Sequence, residues 1–378
     1  MIKYPKSYMR KKNIYVFIGT IAELIKLAPV IKEFRKRDVD FKIITSGQNT
    51  IKFDEFKSII GIQSAFYNFK QKPTKLHLHI IFGFIWWSIK ALVNYFLYFR
   101  NEFKLLNKKD SLFIVHGDTI SSLLGAVITK LHGIKLVHIE SGLRSFNFFE
   151  PFPEEFCRFF VSKLANIHFC PNEWSINNLK KIYGVKINTF NNTLIETLKQ
   201  TLKINKKVTI KKLISKRKFF VLVMHRQEHI LFKKNLTKRF LRIFTEYVNE
   251  NMACVLVLHK LTKDFLKNEQ LLDKIRGNRN FILIPRLPYA EFMQIMKASE
   301  FIATDGGSNQ EEAYYMGKPC LILRNVTERI EGLGENAVLS YGEEGIIRNF
   351  IKNYKNFKRP PIKFKISPSK IIVDYLIK

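Results

Sequence analysis

Short apolar runs alternate along the chain with segments in which apolar residues recur every three or four positions. The short runs predict buried strands at residues 14–19, 41–47, 111–118, 135–140, 219–225, 253–259, 280–285, 301–307 and 319–324. Helical periodicity is clearest at residues 22–36 and 291–299. Strands separated by helices indicate β-α-β units and parallel sheets. We therefore predict an α/β fold built from doubly wound, Rossmann-like sheets.

The alternation is interrupted between residues 180 and 215, where a turn-rich NTFNNT precedes a lysine-rich stretch. This interruption predicts an N-terminal Rossmann-like domain at residues 1–190 and a C-terminal one at residues 191–360. A last segment, residues 361–378, is predicted to pack back on the N-terminal domain. Ligands of open parallel sheets bind beyond the carboxyl ends of the strands. We therefore expect the functional residues at those ends, in a cleft between the domains.

Composition limits the classes of protein to consider. Of 378 residues, 46% are apolar, which excludes a predominantly disordered chain. Lys and Arg number 64 against 32 Asp and Glu, a formal charge of +32 that favours anionic partners, although genome-wide bias explains the same excess.

The four cysteines form no C-x-x-C pair and have no histidine at zinc spacing, so no disulfide and no metal site are expected. The basic N-terminus lacks the apolar core of a signal peptide, and a cytoplasmic location is expected.

Acidic residues follow successive strands of the first half: Asp118, Glu140, Glu154 and Glu155. Each has a structural explanation, as a helix N-cap or as a complement to a helix dipole. Carboxylates that converge on one cleft, with Arg144 and Arg158 nearby, also shift one another's pKa values apart, as acid/base chemistry requires. Their common position at strand ends favours a catalytic cluster.

The second half carries a different set of polar residues. His225, Arg226 and Glu228 follow a strand, and the stretch TDGGSNQEE at residues 304–312 opens onto a helix. Backbone N–H groups there would form a phosphate cradle at Gly306, Gly307 and Ser308, and the carboxylates Glu311 and Glu312 suit a ribose diol. A plain glycine-rich turn is the alternative.

Neither G-x-G-x-x-G after the first strand nor G-x-x-x-x-G-K-[ST] is present, which argues against NAD and P-loop nucleotides, and no cofactor is expected.

Together these motifs resemble the UDP-N-acetylglucosamine 2-epimerase family over residues 14–350. The matching stretches are GTIAELIKLAPV, VHGDT, VHIESGLRS, PFPEEFCR, HFCPNE, HRQE, TDGGSNQEE, GKPC and LRNVTER. The resemblance implies a glycosyltransferase-B-type fold with UDP held mainly by the C-terminal domain. It also implies inversion at C2 of a UDP-HexNAc for surface polysaccharide synthesis, by elimination of UDP to a glycal and re-addition. Hydrolysing relatives instead release free N-acetylmannosamine.

The resemblance also implies roles for individual residues. By this resemblance Asp118, Glu140 and Glu154 are the acid/base carboxylates, and His225 is the histidine on the diphosphate side. Lys26, Arg144 and Arg158 are further cations of the site, and Glu312 is the ribose ligand. Arg226 and the turn at 306–308 suit the departing diphosphate, and Glu311 is added as a substrate-binding candidate. No metal is needed for this chemistry.

Three motifs depart from the family pattern. The first loop reads Gly19-Thr20-Ile21-Ala22-Glu23 in place of G-T-R-P-E, so the arginine and the proline are missing. The family's D-S-G-G appears as residues 305–308, D-G-G-S, and its G-H-R-R-E appears as residues 224–228, M-H-R-Q-E. The loss of these phosphate-side groups is compatible with three consequences: weaker UDP binding, a different sugar substrate or a different reaction.

Four classes of function are to be weighed for a basic chain with these motifs. The carboxylates favour a 2-epimerase, whereas the altered loops and the basic, aromatic composition favour a glycosyltransferase acting on a membrane-linked acceptor. A UDP-sugar-binding regulator would not need the carboxylates. A nucleic-acid partner is not expected, because the basic residues are scattered and no recognised module is present.

Residues 80–99 form an apolar run long enough to span a bilayer. Lys90 at its centre and the immediate return to a sheet strand argue against spanning. We predict a crossover helix with one face on the core and the other covered by a partner. A homodimer is the preferred partner; an anionic surface at the inner face of the membrane is the alternative, favoured by Trp86 and Trp87.

Overall fold

The structure is a computed structural model that describes residues 12–46, 48, 66–68, 90, 93, 108, 110–204 and 217–378. The chain divides into two compact units: Met1–Thr197 with Phe364–Lys378, and Leu198–Lys363. Apart from Lys90 and Val93, the helix predicted at residues 80–99 lies outside the described residues. Within the described part of the chain, no helix has the length and apolar character needed to cross a membrane.

The first unit is built on a parallel sheet. Its strands are β1 (Asn13–Ile18), β2 (Phe41–Thr45), β3 (Phe66–Asn68), β4 (Ser111–His116), β5 (Lys135–Ile139), β6 (Ile167–Cys170) and β7 (Val185–Asn188). They lie in the order β3-β2-β1-β4-β5-β6-β7, and every pair is parallel. The strand order reverses beside β1, where Ile14 pairs with Phe41 on one side and Leu112 on the other. This reversal is the switch point of a doubly wound sheet.

The second unit has the same architecture. Its strands are β8 (Lys218–Val223), β9 (Met252–Leu258), β10 (Phe281–Pro285), β11 (Ile302–Thr304), β12 (Cys320–Ile322) and β13 (Ala337–Leu339), in the order β10-β9-β8-β11-β12-β13. All of these pairs are parallel as well, and the order reverses between β8 and β11. The predicted fold class, with two doubly wound Rossmann-like sheets, is confirmed.

Helices connect and cover the strands. They are α1 (Ile21–Lys36), α2 (Ile120–Leu131), α3 (Glu154–Leu164), α4 (Glu173–Asn178), α5 (Leu194–Lys203), α6 (Lys234–Tyr247), α7 (Lys260–Asn268), α8 (Leu272–Gly277), α9 (Tyr289–Ala298), α10 (Gly307–Met316), α11 (Glu344–Asn353) and α12 (Pro368–Ile377). A π-helical turn, Glu228–Phe232, precedes α6. The units divide within α5, after Thr197, rather than at residue 190.

Both faces of the first sheet are covered, which explains why its strands are continuous apolar runs rather than alternating ones. On one face β1 packs with α1 and with the last helix, α12, through Ile372, Val373 and Leu376. On the other face Phe17 and Phe113 pack against α2 and α3. The last helix of the chain is therefore part of the first unit's core.

Candidate active site

Two sharp turns place the first cluster of polar residues at the carboxyl ends of β4 and β5. Gly117 and Glu140 follow these strands with φ of +66° and +62°. His138 is a residue of β5. Burial lowers the pKa of its imidazole to about 3, and its Nε2 is 2.8 Å from the carbonyl oxygen of Gly117. Since a carbonyl only accepts, the neutral ring donates Nε2–H and fixes the turn that carries Asp118.

Glu140 lies in a buried ion pair. Its Oε2 accepts from Lys26 Nζ at 2.5 Å and from the amide of Asn192, and His116 Nε2 lies 3.7 Å away. Thr193, the next residue, donates its hydroxyl to the carbonyl of Lys26 at 2.6 Å and so fixes this part of α1. The structure brings together Lys26 and Glu140, which are far apart in sequence, and adds Asn192, whose stretch predicted only a turn.

Asp118 belongs to a chain of alternating charges. Arg158, on α3, donates one terminal nitrogen to Asp118 and the other to Glu155 Oε2 at 3.0 Å. Arg144, in the loop after β5, donates Nε to Glu155 Oε1 at 2.5 Å. Glu155 is fully buried, while Asp118 keeps 21% of its side chain exposed and Glu154 is half-buried as the first residue of α3. The structure therefore connects Asp118 directly to Arg158 and, through Arg158 and Glu155, to Arg144.

The altered first loop is held by the carboxylate of Glu23. It accepts from the backbone N–H groups of Gly19 and Thr20 at 2.5 and 2.9 Å, and from the hydroxyls of Thr119 and Ser122 at 2.5 and 3.0 Å. Burial raises the pKa of Glu23, and these hydrogen bonds act against that rise. Glu23 therefore ties the start of α1 to the start of α2, next to the half-buried Ile21 that replaces the family's arginine.

The second cluster lies in the second unit, around Asp305 at the carboxyl end of β11. This buried carboxylate accepts from the backbone N–H groups of His225 and Arg226 at 3.0 and 2.9 Å and lies 3.4 Å from Nδ1 of His229. Its Oδ1 is also 3.1 Å from Nδ1 of His225. Burial alone would raise the pKa of Asp305, but the charges and hydrogen bonds of His225 and His229 hold it well below its usual range. Sequence reasoning missed Asp305, whose neighbours come from a distant strand end.

His225 is placed to meet a ligand. Its side chain is 36% exposed, and its ring stacks on that of His259 with 4.9 Å between centroids. Burial, with the charges of His225 and Arg286, lowers the pKa of His259 to about 4. The ring beneath His225 is therefore neutral near pH 7.

The glycine-rich turn leads directly into α10. A Cβ at Gly306 would lie 2.8 Å from His225 Cε1, and a Cβ at Gly307 would lie 2.5 Å from Glu328 Oε1, so both positions need glycine. No side chain caps this helix start, and Ser308 in its first turn is half-buried. Uncapped N–H groups at a helix start attract anions. The structure brings this turn together with His225, as the sequence predicted for a phosphate cradle.

The two carboxylates of α10 face different neighbours. Glu312 accepts from Asn309 Nδ2 at 2.9 Å. Glu311 is fully buried, with Oε1 at 2.8 Å from Arg329 Nη1. Arg329 belongs to a buried charged cluster that sequence reasoning did not single out within LRNVTER: Arg324, Glu328 and Arg329, with Arg226 at its edge. Glu311 thus has a cationic partner, and Glu312 remains the predicted ribose ligand.

Among the described residues, no group of three His, Cys, Asp or Glu side chains is arranged to hold a metal ion.

Comparisons with known proteins identify the family of the chain. A family model described as UDP-N-acetylglucosamine 2-epimerase matches residues 100–361. A UDP-N-acetylglucosamine 2-epimerase homolog of Methanococcus maripaludis is 31% identical over 90% of this chain and 92% of its own. A UDP-N-acetylglucosamine 2-epimerase of Neisseria meningitidis is 30% identical over 97% of this chain and 99% of its own.

Solved structures extend the similarity to the fold. The Methanocaldococcus jannaschii UDP-GlcNAc 2-epimerase in complex with UDP-GlcNAc and UDP has a TM-score of 0.81 at 28% identity, covering 96% of this chain and 99% of that one. The Neisseria meningitidis enzyme bound to UDP-GlcNAc has a TM-score of 0.78 at 29% identity, covering 97% and 99%. The fold is thus the predicted glycosyltransferase-B type, and the chain belongs to the UDP-N-acetylglucosamine 2-epimerase family.

Proposed function

We propose that this protein is a sugar-nucleotide 2-epimerase that interconverts UDP-GlcNAc with its C2 epimer. The observation that carries the proposal is the set of carboxylates at adjacent strand ends, with their arginines, in a chain of this family. UDP-GlcNAc as substrate is supported by the relatives that were solved with it. A glycosyltransferase has no comparable support among the relatives. Elimination and re-addition of UDP move a proton and no hydride, so this route requires no redox cofactor.

The carboxylates of the first unit are proposed to move the proton at C2. One carboxylate removes this proton while the bond from C1 to the diphosphate oxygen breaks; the former C–H electron pair becomes the C1=C2 double bond, and UDP leaves with the C1–O pair. Re-addition of UDP at C1 and of a proton on the other face of C2 completes the inversion. Asp118 and Glu154 are more exposed than Glu140, which suits them to proton transfer. Negative charge around C1 also stabilises an oxocarbenium-like transition state.

The second unit is proposed to bind the nucleotide. His225, Arg226 and the start of α10 (Gly306, Gly307 and Ser308) supply the positive charge and the N–H donors that a departing diphosphate needs. Glu312 is proposed to accept from the ribose hydroxyls. Lys26, Arg144 and Arg158 remain the proposed cations on the sugar side.

The decisive experiment follows the C2 proton by NMR in deuterated water. Wild-type protein given UDP-GlcNAc should produce the C2 epimer, with deuterium at C2 of both sugars. Asp118→Asn, Glu140→Gln and Glu154→Gln should each lose about 10²–10⁴-fold in turnover. Glu250→Gln, at an exposed ion pair with Arg279, is the matched control and should keep full activity. Sugar transfer without C2 exchange would refute the proposal, and release of free N-acetylmannosamine would place the protein among the hydrolysing members.

We also propose that two copies associate through residues 80–99. The support is the sequence of that segment, which lies outside the described residues except for Lys90 and Val93. Analytical ultracentrifugation should give a dimer that withstands high salt, and Trp86→Ser with Phe82→Ser should dissociate it. A monomer that instead sediments with anionic liposomes would replace the dimer with peripheral membrane binding.

A further inference from the structure

Glu155 is a buried carboxylate of the first unit's site whose hydrogen bonds reach two arginines. It is completely buried, and both of its oxygens accept hydrogen bonds. Oε1 accepts from Arg144 Nε at 2.5 Å and from the backbone N–H of Phe146 at 3.3 Å. Oε2 accepts from the backbone N–H of Ser145 and from Arg158 Nη1, both at 3.0 Å. A carboxylate with four donors and no exposure has no access to a substrate proton.

The bond from Arg158 gives this buried charge its effect on the site. Arg158 lies one helical turn after Glu155 on α3, and its other terminal nitrogen donates to Asp118. The guanidinium is planar, so two carboxylates that each hold one terminal nitrogen fix its orientation. With 3% of its side chain exposed, Arg158 has little room for another orientation. The position of Asp118 therefore depends on Glu155 through Arg158.

Arg144 is held by the same carboxylate. Its guanidinium carbon lies 5.2 Å from the ring centroid of Phe146 and 5.4 Å from that of Phe159. With Nε on Glu155, its two terminal nitrogens make no hydrogen bond or ion pair to the described residues. Glu155 and the two rings thus set the direction of a cation whose donors are open to a ligand.

The neighbouring carboxylate is arranged differently. Glu154 is the first residue of α3 and is half-buried, whereas Glu155 points into the protein. Consecutive helix positions are turned by about 100° from one another, so the two adjacent side chains face different surroundings. The pair that looks equivalent in the sequence is therefore divided between a half-buried group and a fully buried, anchoring one.

We propose that Glu155 is a positioning residue of the epimerisation site: its buried charge holds Arg158 against Asp118 and holds Arg144 in the loop after β5. This inference rests on the proposed function. Glu155 transfers no proton, and its effect on turnover passes through Arg158. A displacement of about 1 Å in a reacting group costs on the order of 10²-fold in rate, which sets the expected scale.

The kinetic test is a double-mutant cycle between Glu155→Gln and Arg158→Gln. Each single variant should lower kcat by roughly 10–100-fold, and the double variant should lose no more than about threefold beyond Arg158→Gln. Glu155→Asp, which keeps the charge, should recover part of the loss. The matched control is Glu173→Gln, an exposed glutamate on α4. Losses that multiply in the double variant, or full activity in Glu155→Gln, would overturn the inference.

A second measurement needs no substrate. Ion pairs slow the rotation of a guanidinium, so the Arg158 side-chain signals in wild-type protein should be resolved by NMR and should shift or broaden in Glu155→Gln. If Glu155→Gln does not fold, the same comparison is made with Glu155→Asp, whose shorter side chain should also shift these signals. Unchanged Arg158 signals would refute the anchoring role even in an active epimerase. An inactive wild-type protein with the expected shifts would refute the proposed function alone.

Discussion

Lys26→Met should reveal how much the first unit depends on its buried ion pair. Methionine keeps the apolar stem of the lysine but removes the ammonium, which lies 2.5 Å from Glu140 Oε2 with 6% of the Lys26 side chain exposed. The carboxylate would keep the amide of Asn192 and His116 Nε2 at 3.7 Å but would lose the ammonium. Removing one partner of a buried pair costs about 3–5 kcal/mol, because the other charge stays buried without compensation.

The assay is thermal and urea unfolding of the whole chain, followed on the transition of the first unit. A loss of this size should lower Tm by about 6–20 °C for a unit of this length. Lys26→Met with Glu140→Gln removes both charges and should be considerably more stable than Lys26→Met alone, since no unpaired charge is left. Lys36→Met, at an exposed position of α1, is the control and should stay within about 0.5 kcal/mol of wild type. A loss below 1 kcal/mol in Lys26→Met, or additive losses in the double variant, would refute this account.

Three further outcomes are expected. His225→Ala and Glu312→Ala should each weaken UDP binding by about 1–3 kcal/mol in calorimetry, the cost of losing a hydrogen bond to a charged group; unchanged affinity in both would remove the nucleotide role. Ile21→Arg, which restores the family's arginine in the first loop, should tighten UDP binding, and weaker binding would show that the altered loop has another arrangement. Burial lowers the pKa of His138 to about 3, so the unfolded chain binds more protons than the folded one below pH 6.5. As the pH is lowered from 6.5 to 3, the free energy of unfolding should therefore fall by up to about 1.4 kcal/mol per pH unit. His138→Gln should flatten this dependence. An equally steep profile in the variant would show that the pH dependence does not come from His138.

The strand ends of the candidate site could be predicted from local sequence. Asp118 and Glu140 each follow a continuous apolar run, and such a run in an α/β chain is a buried parallel strand whose carboxyl end faces the ligand. The glycines of TDGGSNQEE also predicted a turn that opens onto a helix, and α10 begins at Gly307, with side-chain atoms within 3 Å of where a Cβ would lie at Gly306 and Gly307. In both cases the information lies within a few neighbouring residues.

The partners at those strand ends could not be predicted in the same way. Lys26 and Glu140 are separated by 114 positions, and Arg226 and Asp305 by 79. Which cation meets which carboxylate depends on the order of strands in the sheet and on the packing of helices over it. The interpretation of Glu311 as a ribose ligand illustrates the difficulty, because its ion pair with Arg329 comes from a separate loop.

The sequence by itself determined nine of the thirteen described strands, the α/β class and the motifs of the family, because apolar periodicity and turn chemistry act over one element at a time. Only the tertiary structure decided which charged groups pair and which are buried. It pairs Glu140 with Lys26, places two histidines beside Asp305, and buries Glu155 fully but Glu154 only in part. The physical reason is that burial and Coulomb interactions depend on distances in space. Two adjacent glutamates with the same intrinsic chemistry acquire different roles once α3 turns one of them inward.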